Sequence, residues 1–264
     1  MEDRKAVIVG ISGASSSGKT TLARLLRDVF PGTFILHEDD FYKAETELPS
    51  KDGLLDWDCA EAISIPGMTR ALSHIRTHGT FPPFVDSKED QNTIGACPVS
   101  AGAISAAQSK VASWLAPGQP GHGILQQASG GPGLRVCVLD GFLLFSREME
   151  GGGVPALLDA KLFLLVSRGR ATQRRGRRDG YVTLEGFWTD PPGYVDKIVW
   201  PNYAEAHAWL FKDGDVEGSL DEDMLREKGI LAQVGKGLDV DMETTFEWAV
   251  ETLMKQLEEL AGKR

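Results

Sequence analysis

The sequence predicts an α/β fold, a doubly wound parallel sheet flanked by helices, and three observations carry that expectation. Short apolar runs recur at 6–11, 33–37, 135–139 and 160–167, the pattern of strands buried on both faces. Segments with helical apolar spacing lie between them, beginning with Thr21-Leu22-Ala23-Arg24-Leu25-Leu26. At the first strand-to-helix junction stands Gly13-Ala14-Ser15-Ser16-Ser17-Gly18-Lys19-Thr20, which fills the G-x-x-x-x-G-K-[ST] template without a gap.

That motif is a phosphate cradle. Glycines let backbone N–H groups turn toward an anion, and the helix that follows aims its positive dipole end at the same point. The expected nucleotide contacts are Gly13, Ser15, Ser17, Gly18, Lys19, Thr20 and Thr21. Lys19 reaches the β- and γ-phosphates and the Thr20 hydroxyl holds Mg²⁺, so ATP and Mg²⁺ are the expected cofactors. A Gly/Ser-rich connecting turn accounts for neither Lys19-Thr20 nor their place at a helix start. The fold expected is thus a P-loop NTPase, one domain over 1–264.

Composition narrows the partners. Hydrophobic residues make up 42% and charged residues 25%, an ordinary soluble balance. No apolar run approaches a membrane span, and the charged start Met1-Glu2-Asp3-Arg4-Lys5 leads directly into the first strand. No membrane and no signal peptide are expected, and the cytoplasm is the default address. Cys59, Cys97 and Cys137 lie far apart without C-x-x-C spacing, which predicts neither a disulfide framework nor a zinc site. A formal charge of −10 argues against a nucleic-acid partner. A small-molecule substrate is expected instead, with the chain a monomer or weak homodimer.

The second strand, Thr33-Phe34-Ile35-Leu36-His37, runs into Glu38-Asp39-Asp40-Phe41-Tyr42. Ligands of open α/β sheets bind beyond the carboxyl ends of the strands, so Asp39 or Asp40 faces the phosphate loop. An alcohol acceptor needs a carboxylate to take its proton and help hold Mg²⁺, the role assigned to Asp39. An acidic turn capping the next segment is the other reading. Trp57-Asp58 also admits two: an indole stacking on a base beside an acid that binds ribose hydroxyls, or a staple and N-cap for a helix over Cys59–His78. His74 and His78 in that helix have i, i+4 spacing without H-E-x-x-H context and read as a solvated face.

Residues 79–133 form a partly disordered insertion, with an apolar pattern over 104–115 and a Pro/Gly-rich run, Pro117 to Gly133, expected to be a mobile surface loop. Arg135-Val136-Cys137-Val138-Leu139-Asp140 restarts the sheet, and Asp140 adds a second carboxylate that binds the metal directly or through water, or else supports Asp39 electrostatically. After the strand at 160–167 come six arginines between Arg168 and Arg178. On a helical segment flanked by Gly169 and Gly176 they read as a lid over 168–195 that brings fixed cations to a transferred phosphoryl group, or else as a solvated face. Val199–Phe211 is expected as a helical run, Asp213–Glu227 as a solvated connection, Gly229–Val234 as the last strand, and Met242–Ala261 as an amphipathic helix.

These residues resemble the nicotinamide riboside kinases, P-loop kinases related to uridine and pantothenate kinases, and within them a eukaryotic, fungal-type member. The likeness rests on Gly10-Ile11-Ser12-Gly13 through Thr21, Glu38-Asp39-Asp40-Phe41-Tyr42-Lys43, Asp140-Gly141-Phe142-Leu143-Leu144-Phe145, and Pro191-Pro192-Gly193-Tyr194-Val195-Asp196 with Val199-Trp200-Pro201. It spans residues 5 to about 210. The resemblance implies that Asp39 is the proton acceptor and a magnesium contact, and that Asp40, Phe41 and Tyr42 border the substrate. It places the nucleoside on Trp57-Asp58 and matches an R-R-x-x-R lid to Arg174, Arg175 and Arg178. Arg174 then serves catalysis, Arg174 and Arg178 the nucleotide, and Arg175 the substrate. Tyr181 matches the tyrosine on the second face of the ring, with one residue added before it. Asp140 stands where the family often has Glu, one methylene longer. The implied activity is transfer of the γ-phosphoryl of ATP to the 5′-hydroxyl of nicotinamide riboside, and also of nicotinic acid riboside. The rival readings are a uridine-type nucleoside kinase and a non-catalytic nucleotide-binding regulator.

Overall fold

In the computed structural model, which describes residues 4–87, 95–125, 133–178, 180–183 and 186–262, the strands in chain order are Ala6–Gly13 (β1), Thr33–His37 (β2), Ser50–Lys51 (β3), Leu54–Leu55 (β4), Arg135–Asp140 (β5), Ala160–Leu164 (β6), Tyr181–Val182 (β7), Phe187–Trp188 (β8) and Ile230–Ala232 (β9). The helices are Lys19–Val29 (α1), Ile65–His78 (α2), Ala101–Trp114 (α3), His122–Leu125 (α4), Arg147–Gly151 (α5), Val154–Leu157 (α6), Arg168–Arg175 (α7), Trp200–His207 (α8), Glu222–Lys228 (α9) and Met242–Gly262 (α10).

Every residue of β1 is buried, which requires an apolar layer on each side of it. It lies at the centre of a five-stranded sheet in the order β2-β5-β1-β6-β9, and all four pairings are parallel. Alternation along β1 sorts the core into two layers. Ala6 and Ile8 join Met68, Leu72 and Ile75 of α2 and Met149 of α5. Val7, Val9 and Ile11 join Leu22 and Leu26 of α1, Val111 of α3 and Phe246 and Leu253 of α10. Helices therefore cover both faces, and the chain is the doubly wound α/β fold its sequence predicts. The parallel order brings the carboxyl ends of β1, β2 and β5 to one edge, where His37 is paired in register with Asp140.

Four segments differ from their expected form. The helix expected over Cys59–His78 starts only at Ile65, after a single 3-10 turn at Ala60–Ala62, with Ser64 at its N-cap and Pro66 in its first turn. Proline is favoured there because no amide donor is needed, so neither Asp58 nor Cys59 begins that helix. The helical run expected from Val199 opens earlier, in a π-helical turn at Val195–Val199 that continues into α8. The expected solvated connection Asp213–Glu227 instead carries Val216, Leu220 and Leu225 into the core, and α9 is capped by the Asp221 carboxylate. The run from Pro117 differs as well: after exposed turns over 117–120 it forms α4, whose Ile124 and Leu125 are buried in the layer that α10 shares. Residues 126–132 of that run lie outside the described residues.

Candidate active site

Beyond the carboxyl edge of the sheet opens a cleft of about 820 Å³, mouth included, walled by the phosphate loop, the end of β2, the end of β5, and the segment from α7 to β8. Its size falls within the usual range for a small-molecule site. The loop has the backbone its residues impose. Gly13 has φ 144° and a Cβ there would lie 2.4 Å from the Leu164 carbonyl oxygen, so only glycine fits. Gly18, at φ 105°, is the N-cap of α1 and offers no side-chain acceptor to the first amides of the helix. Serines or aspartate cap α3, α5, α7 and α9. The uncapped start of α1 leaves its N–H groups for an anion.

Lys19 is folded back on the loop, its Nζ donating to the carbonyls of Gly13 at 3.0 Å and Ala14 at 2.9 Å. Burial pushes its pKa below the ordinary lysine range, against the pull of Asp140, Asp39 and Glu38. Thr20 donates through Oγ1 to Oδ2 of Asp140 at 2.5 Å, while Oδ1 of Asp140 lies 2.5 Å from Nδ1 of His37. Burial works to raise the Asp140 pKa, but His37, Thr20 and Lys19 outweigh it and hold the carboxyl below the usual range. Asp39 lines the same wall. Behind it, Glu38 is fully buried and Oε2 accepts from the amides of Phe142 at 2.5 Å and Leu143 at 3.2 Å. Burial first, then the neighbouring Asp39, raises the Glu38 pKa to about 8. Tyr42 borders the cleft, whereas Phe41 packs in the core and Asp40 is not among the lining residues.

The opposite wall is held by one guanidinium. Arg175 donates from Nη1 and Nη2 to the two oxygens of Asp58 at 3.0 and 3.1 Å, a bidentate pair. Its Nε donates to Oδ2 of Asp190 at 2.6 Å, Nη2 also to Oδ1 of Asp190 at 3.1 Å, and Nη1 also to Oγ of Ser15 at 2.8 Å. Burial opposes the charge, yet Asp58, Tyr181 and Asp190 raise the Arg175 pKa well above its ordinary value, so the guanidinium stays charged. Arg174, one position earlier, donates to the Ser16 carbonyl at 3.2 Å from outside the cleft wall. Arg178 is exposed, and its guanidinium lies 5.1 Å from the ring centroid of Tyr181.

Trp57 and Tyr181 both line the cleft. Trp57 is nonetheless 5% exposed and belongs to a small apolar cluster with Leu48, Tyr194, Ile198 and Val199. Its amide donates to the Tyr194 hydroxyl at 3.0 Å, and its ring meets Tyr42 edge-on at 5.2 Å. Among the described residues no group of three or more His, Cys, Asp or Glu side chains is arranged to hold a metal by itself.

A family model described as chloramphenicol phosphotransferase-like protein matches residues 6–75. Over 97% of this chain and 99% of its own length, a nicotinamide riboside kinase from Schizosaccharomyces pombe is 35% identical. The chain belongs to the nicotinamide riboside kinase family. Another relative of that name, from Saccharomyces cerevisiae, is 28% identical over 97% of this chain and 98% of its own, and one from Eremothecium gossypii is 32% identical over 82% of each.

Residues without an expected site role also stand at the cleft or directly behind it, among them His37, Glu38, Trp188 and Asp190. His37 and Glu38 flank the carboxylates at the end of β2, a signal available in the acidic run itself. Asp190 directly precedes Pro191-Pro192, but no spacing rule pairs it with an arginine on a different element.

Proposed function

We propose that this chain transfers the γ-phosphoryl of ATP to the 5′-hydroxyl of nicotinamide riboside, giving nicotinamide mononucleotide. The observation that carries the reading is a single cleft lined at once by Lys19, Thr20, Asp39, Trp57, Asp58 and Tyr181. Phosphate-binding, proton-accepting and ring-binding chemistry thus converge within reach of one substrate.

Lys19 leaves the Gly13 and Ala14 carbonyls to meet the β- and γ-phosphates, and the free amides of α1 hold the same oxygens. Asp39 accepts the proton of the attacking hydroxyl. Thr20, Asp39 and Asp140 offer only hydroxyl and carboxylate oxygens, the few hard ligands Mg²⁺ takes when phosphates and water complete its shell. Both oxygens of Asp140 already accept or pair within the protein, which favours contact through water. Held by those residues, Mg²⁺ would supply positive charge to offset the charge that develops on the transferred phosphoryl group. Asp58 takes the ribose hydroxyls, and Arg175, each of whose nitrogens already donates to the protein, fixes Asp58 against the phosphate loop. A pyridinium between Trp57 and Tyr181 gains stacking and cation–π attraction, whereas an uncharged base gains stacking alone.

The test is ATP turnover against nicotinamide riboside, nicotinic acid riboside, uridine and cytidine. Nicotinamide riboside is expected to give the highest kcat/KM. A preference for uridine, or ATP turnover indifferent to every acceptor, overturns the reading.

A further inference from the structure

Trp188 has no part in the roles set out above, yet among the described residues it is, with Tyr181, Tyr42, Phe142 and Trp57, one of the rings on the cleft wall. It is half-buried. Trp188 and Tyr181 are register partners across the β7–β8 ribbon, so their side chains stand side by side on one face of it. Phe187 alternates to the other face and is 61% exposed. The Trp188 ring lies 5.6 Å from Trp57 at an interplanar angle of 49°, and 5.7 Å from Tyr194 at 63°.

An indole at a cleft mouth is free to turn unless its N–H is held. Here Nε1 of Trp188 donates to Oδ1 of Asp190 at 3.0 Å, the same oxygen that accepts from Nη2 of Arg175. Asp190 therefore locks the indole to the guanidinium that also carries Asp58. The result is an aromatic corner, with Trp57 and Trp188 meeting at an angle and Tyr181 alongside.

From this geometry we infer that Trp188 is a further specificity-determining residue, a second indole wall that contacts the planar cationic ring of the acceptor. The inference rests on the acceptor proposed above. Indole has the strongest cation–π attraction of the aromatic side chains, so a second one rewards a positively charged ring over a neutral base of similar size. Asp190 sets the angle of the wall, and because it binds Arg175 as well, ring and ribose subsites are held by one carboxylate.

The experiment compares wild type, Trp188→Leu and Trp188→Phe with nicotinamide riboside and with uridine. Trp188→Leu is expected to raise KM for nicotinamide riboside by roughly three- to thirty-fold, with kcat changed less and with a smaller effect on uridine. Trp188→Phe keeps a π face and should recover most of that loss. A second measurement is independent of how the Leu variant folds. In Trp57→Phe, saturating 1-methylnicotinamide, a pyridinium without ribose, should still quench indole fluorescence because Trp188 remains at the ring. Unchanged nicotinamide riboside kinetics in folded Trp188→Leu, equal damage from Leu and Phe, or no quenching in Trp57→Phe overturns the inference. Wild type that phosphorylates uridine and not nicotinamide riboside overturns the acceptor reading instead, so the two failures are told apart.

Discussion

Lys19 braces the loop through two carbonyls, and under the proposed function it also meets phosphate, the one of these two roles that has no substitute. Lys19→Ala is expected to cut turnover at least ~10²-fold, while the two lost hydrogen bonds cost only about 1–3 kcal/mol of stability. Thermal melts with turnover assays check both, and near-normal turnover in the folded variant removes Lys19 from phosphate binding. Asp39→Asn, by contrast, should lower kcat by ~10²-fold or more and leave ATP affinity changed far less. A regulator without an acceptor would show no such difference. Away from the cleft, His207 is fully buried against Phe163 and Tyr203, its Nδ1 bonded to the Tyr203 carbonyl. Burial lowers its pKa to about 4. Because the neutral ring favours the fold, its contribution is present above the ordinary histidine range and is lost as pH falls toward 4. His207→Gln stays neutral at every pH, so the melting-temperature gap between wild type and variant should narrow by several degrees from pH 7 to pH 5. A gap that does not change with pH means that His207 titrates normally in the fold.

Helices α4 and α7 show how an element takes its meaning from what it meets. The Pro/Gly-rich run was expected to lack the apolar surface to offset its ordering, yet Trp114 packs against Gly121, and a Cβ at Gly121 would lie 2.4 Å from that indole. His122 adds a contact between Nδ1 and the Leu115 carbonyl at 3.2 Å. Leu125→Ala is therefore expected to destabilise the protein by about 2–4 kcal/mol, read from urea midpoints. A change under ~0.5 kcal/mol, as for an ordinary surface site, restores the surface-loop expectation. Helix α7 is short, but Ser167 caps it and joins it to the loop before α10, since Oγ of Ser167 donates to Asp239 at 2.7 Å. Arg168 ties the same end to Asp196. Anchored at its base, α7 delivers Arg175 inward, and Arg178, three residues past its end, is exposed at the cleft wall.

At the scale of the whole molecule, the two apolar layers share one sheet, and β1 contributes to both. We expect a single cooperative unit: Met68→Ala on one face and Leu253→Ala on the other should each shift one urea transition. Two separable transitions would instead divide the chain into domains. How much of this was legible beforehand follows from the range of each interaction. Periodicity and residue chemistry act over a few positions, so β1, β2, β5 and α10, the phosphate loop and the acids at the ends of β2 and β5 could be read from the chain alone. The short α5 and α6 could not, because a four- or five-residue helix lacks a full apolar repeat. By itself the sequence determined an α/β sheet with a phosphate loop, since a strand, a glycine-permitted turn and an uncapped helix start are local events. Only the tertiary structure decided that Arg175 meets Asp58 across 117 positions, that His37 meets Asp140 through the β2–β5 register, and that Trp188 stands beside Trp57. Those meetings depend on strand order and crossover connections, which bring distant segments to one sheet edge and leave no periodic mark on the segments themselves.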